Sequence, residues 1–234
     1  DEELNCEPYK KIGIKTLRPF KIDKNIKKAL QKISEINKEI LDKKLFSLTL
    51  GGEHSITPGC IDPFVKKYKK LCILHFDAHA DLRESYNGEK FSHASAIRRC
   101  LDYKNVSIIS FGIRNISKSE IPFLEKNKSR INIFWAKDKA KWNLKKFKNL
   151  IKNKNVYLTF DVDGLDSSIM PATGTPEPGG LLWDETLNII KIAARNSQIV
   201  GADINELSPI KGFNSYNFLV AKLAYKILSY KVLY

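Results

Sequence analysis

The sequence predicts an α/β protein, a single-domain three-layer αβα sandwich built on a mostly parallel sheet. Three observations carry that expectation. From residue 25 onward, short runs of apolar, β-branched and aromatic residues alternate with helical periods, the pattern of successive βα units. Runs such as Leu71–Leu74 and Val156–Phe160 show little in–out alternation, as expected of strands covered on both faces. Three of the runs end in acidic and histidine residues, and open α/β sheets hold ligands at the carboxyl ends of their strands.

In chain order, residues 1–24 contain two prolines and no strong periodicity, and are expected to be mostly irregular. Ile26, Leu30, Ile33, Ile36 and Ile40 recur at spacings of three and four, which predicts an amphipathic helix over Asn25–Asp42. A strand over Leu45–Leu50 leads into Gly51-Gly52-Glu53-His54. Thr57-Pro58 suits a helix start, threonine as cap and proline in the first turn, and that helix is expected to run to about Lys70. The apolar strand from Leu71 then delivers His75, Asp77, His79 and Asp81. Leu82–Phe91 reads as a polar loop with an Asn87-Gly88 turn, and Ser92 as the cap of a helix holding His93, Ile97 and Leu101. A strand is expected at Val106–Phe111, a helix from Ser117, a short strand at Ile131–Trp135 and a basic helix at Trp142–Lys152. Val156–Phe160 runs into Asp161-Val162-Asp163-Gly164. Pro171–Gly180, with three prolines and three glycines, reads as a loop of special backbone angles. A helix at Asp184–Arg195, a strand at Gln198–Ile204 ending in Asn205-Glu206, and a helix from Tyr216 to about Tyr230 complete the chain. There is no internal repeat and no linker, so residues 1–234 are expected to form one domain.

Three strand ends thus supply six candidate metal ligands: His54, Asp77, His79, Asp81, Asp161 and Asp163. Gathered at one sheet edge, four carboxylates would repel one another unless cations lay between them. Two dications cancel four negative charges, and shared carboxylates hold such a pair about 3.5–4 Å apart. Oxygen-rich donors with two imidazoles and no thiolate favour Mn²⁺, ahead of Mg²⁺, Co²⁺ or Fe²⁺, over tetrahedral zinc. A metal pair acidifies bound water, so the expected reaction class is metal-assisted hydrolysis. His75 is expected to pack beside the site rather than ligate.

The segments Gly51-Gly52-Glu53-His54-Ser55, Phe76-Asp77-Ala78-His79-Ala80-Asp81 and Phe160-Asp161-Val162-Asp163-Gly164-Leu165-Asp166 resemble the three motifs of the ureohydrolase family, which includes arginase, agmatinase and formiminoglutamase. Thr173–Gly180 resembles the loop that follows the third. The resemblance implies an arginase-like fold with two manganese ions. His54, Asp77, Asp81 and Asp161 would hold one; Asp77, His79, Asp161 and Asp163 would hold the other. It implies a small guanidino substrate, with Glu206 receiving the guanidinium, His93 moving protons to the leaving amine, Asp81 assisting the attacking water and Thr175 lining the pocket. A guanidinium offers planar, forked donors that a carboxylate accepts bidentately, and imidazole titrates near neutral pH. Leu82–Gly88 lacks the pattern with which arginases hold the amino-acid end. Phe91-Ser92-His93-Ala94-Ser95 and Gly112-Ile113-Arg114-Asn115 are more like agmatinases, so agmatine hydrolysis to putrescine and urea is the expected activity. Arginase, guanidinobutyrase or formiminoglutamase activity is the alternative. The family usually has a strand and a Gly-rich segment ahead of its first metal motif. Residues 1–24 contain neither, so a truncated or divergent start is expected.

Two other classes compete. A single-zinc deacetylase on a related scaffold needs a different histidine pattern, and a non-catalytic relative would have lost a ligand. The net charge of +14 invites a nucleic-acid partner. The lysines are scattered over every predicted helix, however, with no basic tail or aromatic-interleaved stripe, so neither nucleic acid nor membrane is expected as a partner. No run approaches the ~18 apolar residues of a membrane span. Four cysteines without CxxC spacing read as reduced thiols in a cytoplasmic protein, and the family implies a homo-oligomer, trimer or hexamer.

Overall fold

In the computed structural model of the chain, which describes residues 1–234, six strands lie parallel in one sheet. They are β1 (Leu48–Leu50), β2 (Leu71–Phe76), β3 (Val106–Phe111), β4 (Ile131–Phe134), β5 (Asn155–Asp161) and β6 (Gln198–Asn205), in the order β1-β6-β5-β2-β3-β4. The order runs outward in both directions from the β5–β2 pair, so the switch point of the sheet lies between those two strands.

Helices cover both faces. On one side α2 (Ile26–Asp42), α3 (Thr57–Lys67) and α4 (Ala96–Cys100) pack Ile33, Ile61, Phe64 and Ile97 against Ile73, Ile108 and Tyr157. On the other, α6 (Leu144–Ile151), α7 (Trp183–Asn196) and α8 (Asn214–Leu233) pack Phe147, Ile190, Leu223 and Ile227 against Leu74, Phe111 and Leu158. This is the expected sandwich. Two short helices complete the set, α1 (Pro8–Ile12), which packs against α8, and α5 (Ile121–Lys126). No helix is long and apolar enough to cross a membrane.

Register fixes the height of the reactive strand ends. Phe160 pairs with Phe76, Phe76 with Phe111, and Phe111 with Phe134. The four rings form a row across one face, with centroids 4.8, 6.1 and 4.3 Å apart. Side chains alternate along a strand, so the residues on either side of that row, His75 on β2 with Asp77 just past its end and Thr159 and Asp161 on β5, turn to the opposite face. The aromatic row therefore sets both carboxylates at one level.

Several local expectations shift. Regular pairing of the first strand is confined to Leu48–Leu50 rather than Leu45–Leu50. The strand from Leu71 stops at Phe76, so Asp77 and His79, which would share a face if the strand continued, come off a turn, as Asp81 is expected to. His93 lies in a single 3₁₀ turn, His93–Ser95, and α4 begins only at Ala96. The helix expected from Ser117 begins at Ile121 because Ser117 and Glu120 first close a turn: Glu120 accepts from the Ser117 amide and hydroxyl, both at 2.7 Å. Thr57 makes no side-chain cap; its hydroxyl turns into the buried network described below. Residues 1–24 hold the short α1 in an otherwise irregular stretch.

The turn after β5 needs glycine at 164. A methyl group there would sit 2.7 Å from the Asp77 amide nitrogen and 3.1 Å from its Cα, and neither is free to move because both belong to the β2 strand end. Gly164→Ala is therefore expected to destabilise the protein by about 1–3 kcal/mol, the usual cost of overpacking. At roughly 2–4 °C per kcal/mol for a chain of this size, thermal melts would show a drop of several degrees.

Candidate metal centre

The six acidic and histidine residues of the three strand ends meet in one place. His54 leads the 3₁₀ turn after β1, and its Nδ1 lies 3.1 Å from Asp77 Oδ2, 3.1 Å from Asp81 Oδ2 and 3.5 Å from Asp161 Oδ2. His79 Nδ1 lies 3.0 Å from Asp163 Oδ2 and 3.5 Å from Asp77 Oδ1. Asp77 is common to both groups. His54 and all four aspartates are buried, whereas His79 is a quarter exposed.

Backbone amides and hydroxyls aim these carboxylates. Asp77 Oδ1 accepts the His79 amide at 2.6 Å, and Asp161 Oδ1 accepts the Asp163 amide at 2.9 Å. Asp163 Oδ1 accepts the Ala78 amide at 3.0 Å, while its Oδ2 accepts the Thr175 hydroxyl at 3.1 Å. Asp81 occupies the left-handed backbone region, with φ +52°, a strained conformation for a residue with a side chain that is concentrated at functional sites. His75 bonds Ser110 Oγ at 3.0 Å through Nδ1 and Asp77 Oδ2 at 2.8 Å through Nε2. With both nitrogens engaged it braces Asp77, and burial keeps its pKa low.

The electrostatics are those of a site built for cations. Burial, reinforced by Asp77, pushes Asp81 up to about 7. Burial and the charges of Asp163 and Asp77 push Asp161 well above the carboxylate range. Burial works against the charge of Asp77 too, yet the surrounding imidazoles of His54, His75 and His79 hold it well below that range. Burial disfavours imidazolium at His54, but Asp77 and Asp81 overcome it and raise its pKa well above normal. Asp163 and Asp77 likewise overcome burial at His79 and raise it to about 11. Protons thus balance charge that dications would balance better. His54 Nδ1 is buried and makes no hydrogen bond in spite of three carboxylate oxygens around it, a donor atom aimed at a common point. This donor set fits metal ions.

The residues expected to handle substrate stand around the cluster. Glu206, just past β6, has φ +65°; its Oε1 accepts the His54 amide at 2.7 Å, and its own amide donates to Gly52 O at 2.8 Å. Burial raises its pKa. Thr175 is exposed beside Asp163. His93 stands on the rim, half exposed, with Nδ1 3.9 Å from Glu53 Oε2 and its ring edge-on to Tyr86. A groove of about 1000 Å³ between α2, α3 and α4 contains none of these side chains.

Three neighbours escaped the reading of the sequence. Arg114 donates to Gly112 O at 2.9 Å, to Asp163 O at 2.7 Å and to Glu177 O at 2.7 Å, tying the Asp163 turn to the Pro171–Gly180 loop. Thr159 and Asp203, polar residues inside β5 and β6, lie behind His54. A polar residue interrupting an apolar strand was the available signal for both.

The arrangement places the chain among known proteins. A profile described as the Arginase family matches residues 1–229. The chain belongs to the arginase family. It is 35% identical to N(1)-aminopropylagmatine ureohydrolase of Synechocystis sp., over 98% of this chain and 77% of that protein. It is 38% identical to the agmatinase of Bacillus anthracis, over 80% of this chain and 63% of that protein, so it spans less than two thirds of that relative. The solved agmatine ureohydrolase of Thermoplasma volcanium superposes with a TM-score of 0.82 at 29% identity, over 97% of this chain and 79% of that one. The arginase of Bacillus caldovelox, at TM-score 0.74 and 22% identity over 93% of this chain and 81% of that one, shares the fold.

Within an arginase-family site carrying two protonated imidazoles, metal and protons compete. Metal binding at pH 7 is expected to release roughly three protons per chain, from His54, His79 and Asp161 with Asp81 contributing in part, so apparent affinity should climb more than a hundredfold per pH unit. Calorimetry in buffers of differing ionisation enthalpy measures that release; an affinity independent of pH would contradict it.

Proposed function

We propose that the chain is a binuclear manganese hydrolase that cleaves a guanidino group, with agmatine giving putrescine and urea as the reaction. The observation that carries the reading is the convergence of two donor groups on a shared Asp77, with the Glu206 carboxylate fixed beside them by the His54 amide. In this reading His54, Asp77, Asp81 and Asp161 hold one ion and Asp77, His79, Asp161 and Asp163 the other. The pair supplies Lewis acidity and a water made acidic enough to attack near neutral pH.

The chain's own residues do the rest. Glu206 accepts the guanidinium N–H groups and turns the guanidino carbon toward the cluster, since a carboxylate in a half-buried site holds a planar cation better than water does. Asp81 receives the proton of the attacking water as its oxygen bonds to that carbon. The bond from carbon to the alkyl-bearing nitrogen then breaks. His93, on the rim, gives that nitrogen its proton; as the carbonyl of urea forms, the proton left on the oxygen and the one held by Asp81 restore His93 and complete the ammonium group, and an amine and urea leave. Thr175 keeps Asp163 in place and lines the entrance.

The substrate assignment rests on relatives named agmatinase and on the loop sequences that resemble theirs. N(1)-aminopropylagmatine, an agmatine with a longer amine tail, is the second reading, favoured by the relative that matches 98% of the chain. One domain, a trimer or hexamer, and a cytoplasmic setting belong to the same proposal.

Urea release should be measured side by side from agmatine, N(1)-aminopropylagmatine, arginine and guanidinobutyrate. One of the two amines is expected to give the highest kcat/KM, and preference for arginine would overturn the assignment. Glu206→Gln removes one charge from a hydrogen bond worth about 1.5–3 kcal/mol. The kcat/KM should fall on the order of 10–100-fold, with metal content unchanged.

A further inference from the structure

We propose that Asp203 is a positioning residue that acts through Thr159 to set which nitrogen of His54 is free to bind a metal ion. The inference rests on the reading of His54 as a ligand. His54 Nε2 lies 2.9 Å from Thr159 Oγ1, and the Thr159 hydroxyl donates to Asp203 Oδ1 at 2.6 Å. The register brings them together, because Thr159 of β5 pairs with Asp203 of β6 and with His75 of β2.

The direction of the chain follows from its far end. Asp203 Oδ1 also accepts from the Asn205 side-chain amide at 2.6 Å and from the Thr57 hydroxyl at 3.3 Å. An amide NH₂ group can only donate, so Oδ1 is an acceptor, and the one hydroxyl hydrogen of Thr159 takes the 2.6 Å bond to that carboxylate rather than the 3.2 Å contact with Thr57 Oγ1. Thr159 then shows His54 a lone pair. His54 Nε2 must carry hydrogen to meet that lone pair, and this leaves the Nδ1 lone pair for a cation. The buried Nδ1 without a hydrogen bond, facing Asp77, Asp81 and Asp161, is the atom so exposed. Metal-binding histidines commonly donate their second nitrogen to a carboxylate or carbonyl; here a hydroxyl is interposed.

A purely structural role explains Asp203 poorly. It is fully buried, no cationic side chain bonds it, and its Oδ2 has no hydrogen-bond partner. A carboxyl group in that position costs stability. Asp203→Leu removes the acceptor, so the Thr159 hydroxyl is free to donate to His54 Nε2 and the imidazole hydrogen moves to Nδ1. Thr159→Val removes the relay altogether, whereas Thr159→Ser keeps it.

The test is equilibrium dialysis of the whole chain and its variants against Mn²⁺, with thermal melts of the metal-free proteins alongside. Asp203→Leu and Thr159→Val are each expected to weaken one Mn²⁺ site by about 10–100-fold, the range seen when such outer partners are lost. Thr159→Ser should stay within about threefold of the parent, and the double variant Asp203→Leu/Thr159→Val should lose no more than the weaker-binding single variant, because both act on one path. Variants that melt lower yet bind Mn²⁺ with parental affinity would overturn the proposal, as would losses that multiply in the double variant. Dialysis reads metal alone, so a parent chain that binds Mn²⁺ without releasing urea would count against the proposed reaction and leave this inference standing on its own result.

Discussion

Four carboxylates share one buried spot at the ends of β2 and β5, and the structure around them follows from what it takes to keep them there. Asp77, Asp81, Asp161 and Asp163 are each at most 6% exposed. Water cannot screen charges so placed, and they repel at full strength. In the chain alone, the raised proton affinities of His54, His79, Asp81 and Asp161 offset that repulsion. Dications relieve it with more charge in less space. The site is thus a compromise in which fold stability, proton binding and metal binding are linked through the same few oxygens.

The sheet supplies the rigidity that such crowding demands. Parallel pairing of β2 with β5 puts Phe76 level with Phe160, and the row of stacked phenylalanines on the far face resists any slip of one strand past the other. A slip by a single residue would invert every side chain and scatter the acids. The close approach of Gly164 to the Asp77 backbone and the left-handed backbone at Asp81 and Glu206 are local conformations held against a cost by this framework. Arg114 completes it by gathering carbonyls from the turn and loop that form the rim.

Much of this was legible in the sequence because metal ligands bunch at strand ends, and a strand end is visible as an apolar run followed by acids. The sandwich, the parallel sheet and the pool of six candidate ligands came from that pattern, whereas the grouping of His54 with Asp77, Asp81 and Asp161 came from the resemblance to the ureohydrolase family. Precise helix starts were not legible, since capping residues have alternatives. Ser117 and Glu120 close a turn before α5, and Thr57 spends its hydroxyl on Asp203 and Thr159 rather than on its own helix. The strand after Leu71 ends at Phe76, earlier than a period-two reading suggests, because Asp77 accepts its neighbour's amide and bends the chain. Thr159 and Asp203 passed unremarked because a single polar residue in a strand carries no partner in its own sequence. Only register names the partner.

The central claim is that the crowded carboxylates are arranged around a pair of dications. The most direct measurement is anomalous scattering from crystals of the chain grown with Mn²⁺. Two peaks are predicted about 3.5–4 Å apart, one touching His54 Nδ1 and the other His79 Nδ1, with Asp77 in contact with both. A map with no peak in the cluster, or with a single ion and the His79–Asp163 side left empty, would contradict it.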